Sequence, residues 1–141
     1  MCRRVVVDGI REDRHTPAPG LMRSEDYFRT PETLLPAELI FGAMRVADAP
    51  TPRHQSAVLQ LLLALEAHVR ERDLGRMWVA PLDVVLDERR ALIVQPDLFF
   101  VSNDRAFIVR DRVRGAPDLV VEVTVTQPAH RQHRGTRAMV C

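Results

Sequence analysis

Lysine is missing from this chain: all 20 basic residues are arginine. A mechanism that needs a lysine amine as proton acceptor is therefore excluded, and arginine cannot stand in because its guanidinium stays protonated at ordinary pH. Cysteine is nearly missing too. Cys2 and Cys141 stand at opposite ends of the sequence, and one pair so placed makes no disulfide framework, so both are expected as free thiols. No apolar run reaches the roughly 18 residues that would suggest a membrane span. The segment Met1 to Ile10 carries charges where a signal peptide needs a long apolar stretch, so a cytoplasmic protein with no membrane partner is expected. Acidic residues are absent from Thr124 to Cys141, which holds Arg131, Arg134 and Arg137, whereas Met22 to Val123 has about 13 Arg against about 16 Asp and Glu. A mildly acidic body does not present the broad cationic face that grips duplex DNA non-specifically. His68, His130 and His133 form no zinc constellation with cysteines so distant.

What is present fits one small domain: 141 residues, 46% of them hydrophobic. Residues 1–21, with Pro17 and Pro19 and little periodicity beyond Val5-Val6-Val7, are expected to be a poorly ordered extension. Ser24 is expected to cap a short helix whose first turn holds Glu25 and Asp26 and which ends near Thr30-Pro31. Ala37 to Ala47 reads as extended chain bent or bulged at Gly42. Thr51, with Pro52 at the first helical position, opens a long helix carrying Val58, Leu61, Leu62, Leu65 and Val69 as an apolar stripe that ends near Gly75. Strands are expected at Met77 to Ala80, Leu82 to Leu86, Leu92 to Val101, Phe107 to Val109 and Asp118 to Val123. Strands on both sides of one long helix predict an α/β or α+β sandwich.

Two carboxylates interrupt otherwise apolar strand sequences: Asp97 in Val94-Gln95-Pro96-Asp97-Leu98 and Glu122 in Leu119-Val120-Val121-Glu122-Val123. Burying an ionised carboxylate costs several kcal/mol unless something compensates it. A hard divalent cation bracketed by acids on neighbouring strands is one compensation; a solvent-facing strand end or an arginine partner is the other. His54 falls one turn before Val58 on the apolar face, so it points inward, either as an interior hydrogen-bonded histidine or as a site residue.

Five segments in fixed order sharpen this reading: Glu38-Leu39-Ile40; Pro50-Thr51-Pro52-Arg53-His54-Gln55 at the helix start; Ala80-Pro81-Leu82-Asp83-Val84; Val94-Gln95-Pro96-Asp97-Leu98; and Gly115-Ala116-Pro117-Asp118-Leu119-Val120-Val121-Glu122-Val123. Together, over Ser24 to Val123, they resemble the bacterial Uma-two family of restriction-endonuclease-like proteins within the PD-(D/E)xK nuclease superfamily. The resemblance implies a restriction-endonuclease-like mixed sheet flanked by helices. It also implies Asp97, Glu122 and Glu38 as catalytic and metal-binding acids, and Mg²⁺ or Mn²⁺ as cofactor. His54, Gln95 and Asp83 would be supporting residues, and nucleic acid the substrate whose phosphodiester bond is hydrolysed. A reading from another class is a non-catalytic module that touches nucleic acid or protein through Arg110, Arg112 and Arg114, with the acids only building structure.

The chain departs from the family in two places. Thr124 occupies the position of the superfamily's lysine, two residues after the second acid. After Val123 the family continues as a Leu-Ser-Pro turn, a polar helix with aromatics and closing strands, whereas residues 124–141 are expected to be a basic tail outside the family pattern. Synonymous codons for that tail can be chosen so that reading one base later gives LSPNPRIGSTEERVRWFA, which restores the family pattern. A C-terminally truncated domain, possible frameshifting, an exposed strand edge, homodimerisation and impaired activity are the corresponding expectations.

Overall fold

The computed structural model describes residues 20–31 and 35–124. The extension and tail anticipated at the two ends lie almost wholly outside these residues.

The first described element is α1 (Ser24–Arg29), whose N-cap position is taken by Arg23, without a side-chain cap bond, rather than by Ser24. Ser24 sits inside the first turn, buried, and its hydroxyl donates to the Glu88 carbonyl at 2.8 Å. The local capping rule thus loses to a tertiary hydrogen bond. Next come β1 (Ala37–Ile40) and β2 (Ala43–Val46), antiparallel, with Ile40 opposite Ala43. The expected bend at Gly42 is a two-residue hairpin turn. Phe41 and Gly42 have φ of 51° and 87°, the paired positive values that match the twist of the flanking strands. Arg90 covers the Phe41 ring at 5.5 Å.

Thr51 caps α2 (Pro52–Glu71) as expected, its hydroxyl accepting from the His54 main-chain N–H at 3.3 Å. The helix stops short of Gly75, and its apolar stripe is only half covered. Val69 is buried, while Leu61, counted in the stripe, is 39% exposed and Leu59 and Leu63 are 55% and 62% exposed. Beyond it run β3 (Gly75–Val79), β4 (Val84–Asp87), β5 (Leu92–Val94) and β6 (Leu98–Ser102). The long strand expected over Leu92 to Val101 is thus two strands, broken at Gln95-Pro96-Asp97. Proline cannot donate to a ladder, and here it is a fully buried break. Residues Phe107 to Val109, expected as a strand, fall mostly in a 3-10 turn (Asn103–Ile108) whose Phe107 faces solvent. Two short strands follow, β7 (Val113–Arg114) and β8 (Leu119–Val121).

These strands make two sheets in an α+β arrangement. One has the order β2-β1-β5-β4-β7, with β4 and β7 parallel; the other has the order β3-β6-β8 and is antiparallel. Alternation along β4 shows how the layers meet. Val85 joins the cluster of Tyr27, Leu39 and Ile93 beneath α1, while Val84 joins Phe99, Val101, Ile108 and Val113 between the sheets. Burying a side chain of this size contributes about 1.5 to 3 kcal/mol, so the interlayer cluster is a main source of stability. The segment from Gln95 to Asp97 carries the chain from the first sheet into the second. Among the described residues no helix is long and apolar enough to cross a membrane.

Candidate active site

Asp97 and Glu122 come together because of strand register. The β6/β8 ladder ends at Leu98 opposite Val121, and one step further along both strands lie Asp97 and Glu122. Asp97 is held from two directions. The Val123 main-chain N–H donates to its Oδ2 at 2.8 Å, and His54 Nε2 lies 3.1 Å from the same oxygen. Against a carboxylate oxygen, which only accepts, Nε2 is the donor. The Nδ1 of His54 is buried and has no hydrogen-bond partner among the described residues. His54 therefore points inward, as its helical position predicts, and its first contact is with the motif aspartate. An apolar hollow of about 190 Å³, walled by Val58, Leu62 and Val79, adjoins this pair.

Burial of its carboxyl end, then the charges of Asp97 and Glu38, push the Glu122 pKa up to about 7. Much of Glu122 still reaches solvent. The crowding by Asp97 and Glu38 adds to the effect of burial on this side chain.

Glu38 enters from β1 in the other sheet. Its Oε1 accepts from the Gln95 main-chain N–H at 3.1 Å. The Gln95 side chain does not face the acids. Its Oε1 accepts from the Ala37 N–H at 3.1 Å and its Nε2 donates to Asp83 Oδ1 at 2.8 Å. Asp83 is likewise turned away from Asp97. The Arg112 Nε donates to its Oδ2 at 3.0 Å, and the Tyr27 hydroxyl lies 3.0 Å from its Oδ1. These side chains line a hollow of about 490 Å³, which lies behind Gln95 rather than at the acids. Sequence reading missed Tyr27, the chain's one tyrosine, and the Val123 N–H; neither carries a motif signal.

Glu38 and Asp97 both lie near enough to act on the Glu122 charge. Among the described residues no group of three or more His, Cys, Asp or Glu side chains is arranged to hold one metal ion. Asp97 has turned one oxygen to His54 and Val123, and Glu38 has turned one to Gln95. The arginine loop also differs from a free cationic surface. Arg112 is paired with Asp83 and Asp111 and lies 4.5 Å over the Phe28 ring, and Arg114 is paired with Glu88 and Asp111. Arg110 reaches the Phe107 carbonyl at 3.4 Å.

A mixed sheet, a second small sheet and few helices, with paired acids where two strands end, define a restriction-endonuclease-like α+β protein. A family model described as "Putative restriction endonuclease" matches residues 24–138, and the chain belongs to that family, Uma-two. No curated protein matches the chain.

Proposed function

We propose that the protein is a metal-dependent nuclease of the cytoplasm that hydrolyses phosphodiester bonds in nucleic acid, with weak turnover. The observation that carries this reading is the Asp97–Glu122 pair, set opposite each other at the strand ends with Glu38 within electrostatic reach. Hard carboxylate oxygens suit Mg²⁺ or Mn²⁺, and crowding that drives Glu122 to hold a proton near neutrality is relieved when a divalent cation replaces that proton. Asp97 and Glu122 would hold the ion, with Glu38 as the third acid. When bound, the ion activates water and neutralises charge building on the phosphate. The chain's own groups orient the site: His54 and the Val123 N–H fix Asp97, and the Gln95 N–H fixes Glu38.

The weak turnover follows from the missing proton acceptor. Thr124, exposed, stands where the motif calls for lysine, and its hydroxyl cannot take a proton at neutral pH. Titration with Mn²⁺ alone, followed by calorimetry, tests the proposal. One ion should bind to the wild type, and Asp97→Asn and Glu122→Gln should each lose binding. Slow Mn²⁺-dependent cleavage of a labelled oligonucleotide should disappear in the same variants. Binding unchanged in both variants would end the assignment.

A further inference from the structure

Glu38 lies in β1 of one sheet and Asp97 just before β6 of the other, and something other than a strand ladder must fix how they approach. The β1/β5 ladder runs through Ile40 opposite Leu92 and Leu39 opposite Ile93. Beyond that point side chains take over from main chain. The Ala37 N–H finds the Gln95 side-chain oxygen, and the Gln95 N–H finds the Glu38 carboxylate. Gln95 is thus bonded to Ala37, Glu38 and Asp83, immediately before Pro96 and Asp97.

The Gln95 amide can adopt only one orientation. Its oxygen must face the Ala37 donor and its nitrogen the Asp83 acceptor; a flip would place donor against donor and oxygen against carboxylate. Asp83 is in turn immobilised. It is 14% exposed, Arg112 holds its Oδ2, and the Tyr27 hydroxyl stands beside its Oδ1 while also reaching the Ala37 carbonyl at 2.7 Å. Burial, then the Asp83 charge, pushes the Tyr27 pKa far above its ordinary range, so the hydroxyl keeps its proton for these acceptors.

We propose that Asp83, which touches none of the three acids, is a positioning residue of the active site: through the Gln95 amide it sets the Gln95 main-chain N–H that holds Glu38 and the point at which the chain departs toward Asp97. The proposal rests on the nuclease reading for its functional consequence, but its structural part can be tested without metal. Partners of this outlying kind commonly contribute 10- to 100-fold in metal affinity.

The test uses Asp83→Asn and Gln95→Met in the full chain. Asp83→Asn keeps the shape but sets an amide N–H₂ against Arg112 or Gln95. Gln95→Met keeps the main-chain N–H and removes the strut. In metal-free protein the amide resonance of residue 95, or in Gln95→Met its hydrogen-exchange protection, should change toward that of Glu38→Ala. With Mn²⁺ alone, affinity should fall about 10- to 100-fold in both variants. Asp118→Asn is the control. Asp118 is held by Arg105 and the Ser102 N–H at 2.8 Å each, a network of the same kind elsewhere on the scaffold, so its loss should lower Tm while leaving Mn²⁺ affinity unchanged. An unaltered residue 95 amide in Asp83→Asn, or a fall in affinity no larger than in Asp118→Asn, would overturn the proposal. If the wild type binds no Mn²⁺ the nuclease reading fails on its own, and the metal-free amide measurement still decides the role of Asp83.

Discussion

Asp97 and Glu122 face each other one step past the last hydrogen-bonded pair of β6 and β8. The Glu122 pKa is pushed up to about 7, first by burial and then by the charges of Asp97 and Glu38.

The pH dependence of stability has a definite sign. With the folded pKa near 7 and the ordinary value at 4.5, the folded chain binds the Glu122 proton more tightly than the unfolded chain. This contribution is fully present below the unfolded pKa and is lost as pH rises through the folded one, so between pH 4.5 and pH 7 it lowers Tm with rising pH. Thermal melts of wild type and Glu122→Gln across that window should differ by this slope. Parallel curves would show that Glu122 titrates normally.

His54→Ala should separate stability from function. A hydrogen bond to a charged group contributes about 1.5 to 3 kcal/mol, but a buried polar atom without a partner costs about 1 to 3 kcal/mol. The variant loses the bond to Asp97 and also the unpartnered Nδ1, so urea denaturation should show a change within about 1 kcal/mol. Mn²⁺ affinity should nevertheless drop about 10-fold or more, because Asp97 keeps only the Val123 N–H.

Thr124→Lys restores an amine to the motif. Positioned proton transfer contributes about 100-fold or more, so Mn²⁺-dependent cleavage of a fluorescent oligonucleotide should rise by up to about 100-fold with metal affinity little changed. A variant that binds the ion and cleaves no faster would place the missing group elsewhere.

Gly75 tests the scaffold. With φ at 156°, it starts β3 against β6, and an added Cβ would collide with the Val101 carbonyl and the Ser102 Cα. These are backbone atoms of a paired strand and cannot swing aside. Gly75→Ala should destabilise the protein by about 3 kcal/mol or more, read as a fall in the denaturation midpoint.

The features legible in the sequence were those that act over short distances. Thr51-Pro52 fixes the start of α2 through a cap to His54, and the apolar runs before Glu122 and after Asp97 give β8 and β6. Errors arose where a distant partner decided the outcome. Ser24 looks like a cap by its neighbours, yet its hydroxyl goes to Glu88, 64 residues away. Phe107 suggests a buried strand, yet the turn exposes it. The acids followed the same pattern. Their types and order could be read, but the hydrogen bonds by which His54, Val123 and Gln95 turn their oxygens could not, since these depend on how two sheets meet.

The break at Gln95-Pro96-Asp97 means that Glu38 rides on one layer while Asp97 and Glu122 ride on the other. The gap across which an ion would be gripped is therefore a mechanical property of the filling between the layers, much as jaw opening depends on the pivot. Trimming Phe99 or Val84, which share that filling, would retune the grip from behind.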